Sequence, residues 1–328
     1  MATGYVSREP VEQGDEVMEE ALGEMLRLLS AGAAGAILLA LDEGAMQTKV
    51  LTQRIRGYTA RTVYRYLPRL ARAGAVERDD RPGGPARVVH TLSQSGGNEL
   101  CDLINRFATA SMTHLPGGQV EPEAWASLGL LADLWEAGVV DELSQGPRSL
   151  AELARRLEAL SYHQLNRRAS RFKASGYFGE TRRSEDRQGY VLTDKARRTM
   201  GLIAGLGRWR RRHRAGDGLS VAEMQTVLRV SLPLVTVPQH AGKAMRVTVR
   251  GRAGDPPRTL WALVAEGGGV EVLELPASGC ACWAEGSVDN WMAALVDGKP
   301  PARCGGETEM VTDCLTSLYE KLWTPSPF

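Results

Sequence analysis

Gly57-Tyr58-Thr59-Ala60-Arg61-Thr62-Val63-Tyr64-Arg65-Tyr66-Leu67-Pro68-Arg69-Leu70-Ala71-Arg72-Ala73-Gly74 is the stretch on which the fold turns. Thr59 is a natural N-cap, since its hydroxyl can accept from an unpaired N–H of a first helical turn. Val63, Leu67 and Leu70 recur at i, i+4 and i+7, the apolar stripe of a helix that packs on a core. The opposite stripe carries Arg61, Thr62, Arg65 and Arg69. Gly74 supplies the stop. Pro68 removes the hydrogen bond to residue 64, which predicts a kink in the C-terminal half of this helix.

The same pattern returns further along the chain. A shift of 102 positions superposes Leu41, Gly44, Leu51, Val63, Leu70, Gly74 and Val76 on Leu143, Gly146, Leu153, Leu165, Phe172, Gly176 and Phe178. Beyond that, Leu92 and Ser93 meet Leu192 and Thr193 at a shift of 100, so the second copy lacks two residues, a deletion that belongs in a hairpin tip. Each copy predicts a helix ending at glycine, a second short helix, a capped third helix, then two short strands. That order is a winged helix-turn-helix. In copy two Ser161 is the cap, Leu165, Ala169 and Phe172 form the stripe, and His163, Gln164, Arg167 and Arg171 stand where copy one has its polar face.

Arginine fits this face for a chemical reason. Its guanidinium can meet guanine O6 and N7 in a major groove or a backbone phosphate. The strand-turn-strand after Gly74 carries Arg81 and Arg87 around Pro82-Gly83-Gly84-Pro85, and the second wing carries Arg182, Arg183 and Arg187. These residues, with Thr59, are the candidate DNA contacts.

Charge follows the repeat. The 328 residues total +1, but residues 35–108 carry +4 and residues 123–215 carry +7, against −5 for residues 1–34 and −4 for residues 216–328. Basic segments suit a partner that carries phosphates, because each neutralised phosphate releases counterions. An excess of arginine, 34 against 6 lysines, is also what a GC-rich genome produces. The 43% apolar content permits a sizeable core and two or three domains. The longest apolar run, around Ala31 to Leu41, is about half of the ~20 residues a membrane span needs, and the first twenty residues are acidic where a signal peptide is basic. The expectation is a soluble cytosolic protein without membrane contact.

Gly57 to Val63, then Leu67, Leu70, Gly74-Ala75-Val76-Glu77-Arg78 and the stretch from Pro85 to Gly96, resemble the HxlR-type winged-helix transcriptional regulators of bacteria. The resemblance implies binding of operator DNA as homodimers, one winged helix per half-site, so two copies in one chain imply a fused pseudo-dimer; a homodimer with four winged helices is the other arrangement. Val17–Leu29 and Ala196–Arg212 are amphipathic and read as the helices through which such domains associate. Residues 109–122, with Leu115-Pro116-Gly117-Gly118, read as a linker long enough for the domains to reorient. The run from Arg208 to Arg214 reads as a phosphate contact or a solvated helix end.

The expected fold class is α+β, with a first winged domain over residues 1–108, the linker 109–122, a second winged domain over 123–215, and a small α+β domain over 216–328. In the last, a helix from Ser220, strands at Arg246–Arg250, Leu260–Ala265 and Val270–Leu275, and helices at Ser287–Val296 and Thr308–Trp323 are predicted. Leu260-Trp261-Ala262-Leu263-Val264, the Gly267-Gly268-Gly269 turn, and the run from Ala284 to Trp291 resemble the sterol-carrier-protein-like domain. That resemblance implies an apolar tunnel between sheet and helices, with Trp261, Leu263, Trp283, Trp291, Met292, Leu295, Leu318 and Trp323 as wall candidates for an apolar small-molecule effector; ordinary core is the alternative for at least half of them.

Cys280-Ala281-Cys282, Cys304 and Cys314 give no ligand set for a metal, and on a strand the first and third residues share a face. No nucleophile elbow, phosphate loop, zinc-protease or paired-carboxylate pattern occurs, so no catalytic residue, metal or cofactor is expected. The expected activity is sequence-specific binding of double-stranded DNA under effector control. The alternative is a protein-interaction module or apolar-ligand carrier without specific DNA binding.

Overall fold

The computed structural model describes the backbone of residues 16–324, apart from 56, 81–87, 111–113, 116–118, 121, 137, 158–159, 185–186, 214–217, 253–254 and 274–278. The class is α+β. The first unit runs α1 (Glu16–Ser30), α2 (Ala33–Asp42), β1 (Met46–Gln47), α3 (Thr48–Arg54), α4 (Ala60–Arg72), β2 (Val76–Asp80), β3 (Val88–Leu92) and α5 (Gly97–Ala110). Its antiparallel sheet has the order β1-β3-β2, with Met46 opposite His90 and Val76 opposite Leu92.

The quoted stretch folds as its pattern dictates. Thr59 Oγ1 accepts from Thr62 N at 3.2 Å, and Val63, Leu67 and Leu70 are buried, with Tyr66 beside them. Helix α4 continues through Pro68 to Arg72. Gly74 ends it at φ 73°, a left-handed conformation open to glycine at no steric cost. The Ser93 hydroxyl then donates to the Gly74 carbonyl at 2.6 Å and accepts from the N–H groups of Gly96 and Gly97, tying the end of α4 to the start of α5.

The second unit follows a short hairpin, β4 (His114–Leu115) and β5 (Gln119–Val120). It comprises α6 (Pro122–Glu136), α7 (Val139–Ser144), α8 (Leu150–Arg156), α9 (Tyr162–Ala174), β6 (Phe178–Ser184), β7 (Arg187–Leu192), α10 (Asp194–Arg198) and α11 (Met200–His213). The two shifts found in the sequence reappear as geometry. Phe178 pairs with Leu192 as Val76 pairs with Leu92, so the missing residues fall between the strands. A single Arg148–Tyr190 bridge stands where Met46 pairs with His90. Gly176 repeats the φ of 73°, and Thr193 Oγ1 donates to its carbonyl at 2.6 Å, as Ser93 does to Gly74.

The units do not hang apart on a linker. Helix α6 begins at Pro122 and packs along α1, while α11 packs against α5. Trp209 Nε1 of α11 donates to the Gly96 carbonyl at 2.7 Å. No single described helix is long and apolar enough to cross a membrane; α1 and α2, apolar enough as a pair, are bent by 83° and buried in this core.

The third unit is α12 (Val221–Ser231), β8 (Ala244–Arg250), β9 (Arg258–Val264), β10 (Val270–Leu273), β11 (Cys280–Ser287), α13 (Val288–Asp297), β12 (Arg303–Gly306) and α14 (Thr308–Trp323). Its sheet has the order β10-β9-β8-β11-β12, with β8 and β11 parallel and the other pairs antiparallel. Ser220 and Ser287 start α12 and α13 through reciprocal capping boxes with Glu223 and Asn290. All three helices pack on one face of the sheet, over Val247, Leu260, Ala262 and Ala284. The expectation that Cys280 and Cys282 share a face is corrected. A register shift between them leaves Cys280 exposed and Cys282 buried, because the extra residue of a bulge reverses the alternation.

The association helix expected over Ala196–Arg212 is used inside the chain. Helix α11 is buried against α5, α12, α13 and α14, and glycines admit its neighbours: a Cβ on Gly201 would lie 3.0 Å from Trp323 Cζ2, and one on Gly207 2.6 Å from Leu219 Cγ. Arg197 donates to the Val230 carbonyl, and Arg198 to those of Lys321 and Thr324, so α10 closes the C-terminal ends of α12 and α14.

Candidate nucleic-acid interface

The outer faces of α4 and α9 carry the candidate contacts. Arg61 and Arg65 are exposed and Arg69 is half-buried on α4; His163, Arg167 and Arg171 are exposed on α9. Arg61, His163, Arg167 and Arg171 make no side-chain hydrogen bond or ion pair with other described residues. Arg65 and Arg69 are placed differently. Their guanidinium carbons lie 5.0 and 5.3 Å from the centroid of the buried Tyr66 ring, and Arg65 also reaches the Tyr66 hydroxyl at 3.4 Å. Stacking on an aromatic ring restrains a flexible cation without neutralising it.

Three of the candidates already have structural work. Thr59 Oγ1 caps α4, and the Thr62 hydroxyl bonds to it at 2.9 Å. Gln164 Oε1 accepts from Ser161 N at 3.0 Å in a capping box, so this amide is fixed by the backbone. Of the wing residues, Arg182 is exposed; Arg81 and Arg87 lie outside the described residues, as do the side chains of Arg183 and Arg187.

Sequence reasoning missed the apolar part of this surface. Val50, Tyr64 and Tyr162 are the large exposed hydrophobic side chains among the described residues, at 48%, 59% and 55% exposure, and they sit on α3, α4 and α9. The repeat contained the signal, since Tyr64 aligns with Asn166 and Tyr162 with Ala60, all off the apolar stripe.

The basic run closing α11 belongs elsewhere. Arg208 pairs with Glu99 of α5 and, at 2.6 Å, with Asp297 of α13; Arg211 pairs with Asp289 at 2.8 Å. Arg212 and His213 reach Glu99 at 2.9 and 2.7 Å. These ion pairs join the three units, Arg212 remaining half exposed, and Arg214 lies outside the described residues. Similarly, Arg106 of α5 stacks 4.1 Å from the Trp323 ring centroid.

The wall candidates of the third unit separate into two sets. Trp291, Met292, Leu295, Leu318 and Trp323 are buried on the helix side of the sheet, and their indole N–H groups donate to the Thr248 and Leu295 carbonyls at 3.0 and 2.7 Å. Trp261, Leu263 and Trp283 alternate with buried neighbours and project from the other face, where Trp261 and Trp283 flank Arg246 in one cross-strand row. The eight residues therefore do not line one tunnel; strand alternation puts the sheet itself between them.

Burial pushes the thiols of Cys101, Cys282 and Cys314 up to about 12 and raises that of Cys304. No group of three or more metal-ligating side chains occurs among the described residues. Asp313 is held below the usual carboxylate range by hydrogen bonds from Gln239 and the buried His240, which fasten the turn before β8 to α14. No protein-family model and no curated protein matches the sequence.

Proposed function

We propose that the chain is a transcriptional regulator that binds double-stranded DNA with sequence specificity, its two winged helix-turn-helix units serving as the halves of a dimer within one molecule. The observation that carries this reading is the pairing of equivalent helices: α1 packs on α6 and α5 on α11. Self-complementary pairing of matching elements is what a two-fold axis imposes on a dimer. It makes α4 and α9 counterparts, each with a free basic outer face, as two half-sites require. The molecule acts as a single-chain pseudo-dimer.

The third unit, sterol-carrier-like in this proposal, is the control element. An apolar small molecule entering between its sheet and helices displaces the packed side chains of α13. That helix is bound to α11 through Arg208–Asp297 and Arg211–Asp289, so its movement changes the frame that holds α4 and α9. Only differential affinity for the two arrangements lets such a ligand shift operator binding.

The exposed Val50, Tyr64 and Tyr162 also suit a protein partner, which gives a second reading as an interaction module. Selection from a random duplex pool at physiological salt, followed by titration of the selected and a scrambled duplex, separates them. A regulator enriches a motif and shows a steep salt dependence; an interaction module shows neither.

A further inference from the structure

We infer that α4 and α9 read different bases, so that the operator is not palindromic and the protein binds it in one orientation. The inference rests on the DNA-binding reading above and adds to it the composition of each half-site.

The repeat pairs the outer positions of the two helices one by one. Ala60 and Tyr162, Arg61 and His163, Thr62 and Gln164, and Tyr64 and Asn166 are counterparts that differ, whereas Arg65 and Arg167, and Arg69 and Arg171, are counterparts that agree. These four differing pairs fall in the first turns of their helices, where a recognition helix meets base edges; Pro68 and Ser170, Ala71 and Lys173, and Arg72 and Ala174 also differ further along. The agreeing arginines begin further along. At these positions the copies share two anchoring arginines and differ in the turns that specify sequence.

Side-chain chemistry then gives each half-site a letter. Arg61 is exposed and unengaged among the described residues, and its planar fork matches guanine O6 and N7. On α9 two amides stand near the N-terminus, but Gln164 is committed to Ser161 N. Asn166 is exposed with its amide free, and an amide matches adenine N6 and N7. The α4 half-site therefore contains a guanine set by Arg61, and the α9 half-site an adenine set by Asn166.

The supports of the shared arginines differ too. Tyr66 stacks under Arg65 and Arg69, while its counterpart in α9 is Arg168. The α4 guanidinium groups are held in place before DNA arrives, and those of α9 are ordered on binding, which makes the α4 half-site the stronger one. A homodimer of identical chains cannot diverge in this way, whereas two copies fused in one chain can.

Selection from a random duplex pool with the full-length protein, with Arg61→Ala and with Asn166→Ala tests this, melting temperature serving as the check that each variant is folded. The expected wild-type motif has two unlike half-sites. Arg61→Ala should relax a guanine in one of them and Asn166→Ala an adenine in the other, each weakening the wild-type duplex about ten- to a hundredfold. An inverted repeat of identical half-sites, or both variants relaxing the same position, overturns the asymmetry and leaves DNA reading standing. No enriched motif from folded wild-type protein overturns DNA reading itself, and this inference with it.

Discussion

Leu103 of α5 fills the space that a side chain on Gly205 of α11 would need: a Cβ on that glycine would lie 2.8 Å from Leu103 Cδ2 and 3.1 Å from Cγ. The contact sits where the two copies of the repeat meet. Gly205→Leu gains about 1 kcal/mol of helix propensity but forces a branched side chain into a closed core, which typically costs about 1–3 kcal/mol and more when neighbours cannot move. We expect a net loss of about 2 kcal/mol in urea unfolding, weighing these terms. Leu103→Ala opens a cavity and destabilises alone, yet the double variant should be more stable than the sum of the single effects. Strict additivity would show that the two residues do not share this space.

Arg208 is the point where all three units meet, with its side chain 12% exposed between Glu99 and Asp297. Removing one member of a buried ion pair leaves an uncompensated charge, a loss of up to about 3–5 kcal/mol that the partial exposure of Asp297 reduces. Glu99 keeps Arg212 and His213, whereas Asp297 keeps only the more distant and exposed Lys299 at 3.9 Å, so Asp297 is the group that Arg208→Ala leaves poorly compensated. We expect Arg208→Ala to unfold at distinctly lower urea and Arg208→Ala/Asp297→Ala to recover part of the loss. A double variant no better than Arg208→Ala would assign the effect to packing of the arginine stem.

The repeat was the most legible feature of the sequence, because apolar positions and turn glycines recur for steric reasons that survive divergence: Gly74 and Gly176 adopt the same φ, and Ser93 and Thr193 bond the same carbonyl. Helix limits were legible wherever a cap fixes them, as at Thr59, Ser161, Ser220 and Ser287. Which copies of a helix meet was not legible. Ala196–Arg212 reads as an amphipathic association helix, and only the neighbours Trp323, Leu103 and Leu219 show which partners it meets and that its glycines make room for them. The basic run closing that helix reads as a phosphate contact or a solvated helix end because its carboxylate partners, Glu99, Asp289 and Asp297, are distant in sequence. Residue type alone marks the tunnel candidates, and type carries no information on which side of a sheet a residue stands.

The cysteines should behave as small core residues. Cys101, Cys282 and Cys314 are raised by burial from 9.0 to about 12, so the folded chain holds these protons where an unfolded one begins to release them. Their contribution to stability is complete below about pH 9 and is lost as pH rises toward 12. The urea midpoint of the wild type should therefore fall more steeply above pH 9 than that of a variant with alanine at the three positions. Maleimide should label exposed Cys280 first, half-buried Cys304 later, and the buried three only on unfolding. Labelling of Cys282 or Cys314 as fast as Cys280 in the native protein would mean the helix layer opens readily.

The shared arginines give a prediction that no base preference can imitate. If Arg69 and Arg171 grip phosphates, alanine at either should weaken binding to all duplexes alike and lower the slope of log affinity against log salt by about 0.9. Arg61→Ala should instead weaken the selected duplex far more than a scrambled one while changing the slope little. Because Tyr66 stacks under Arg69, and the α9 counterpart of that tyrosine is Arg168, Tyr66→Leu should reduce the advantage of α4 over α9 without altering the salt slope. Competition between duplexes carrying only one intact half-site measures that advantage directly. An unchanged ratio in Tyr66→Leu would show that the ring stabilises α4 by packing alone and does not position the arginines for DNA.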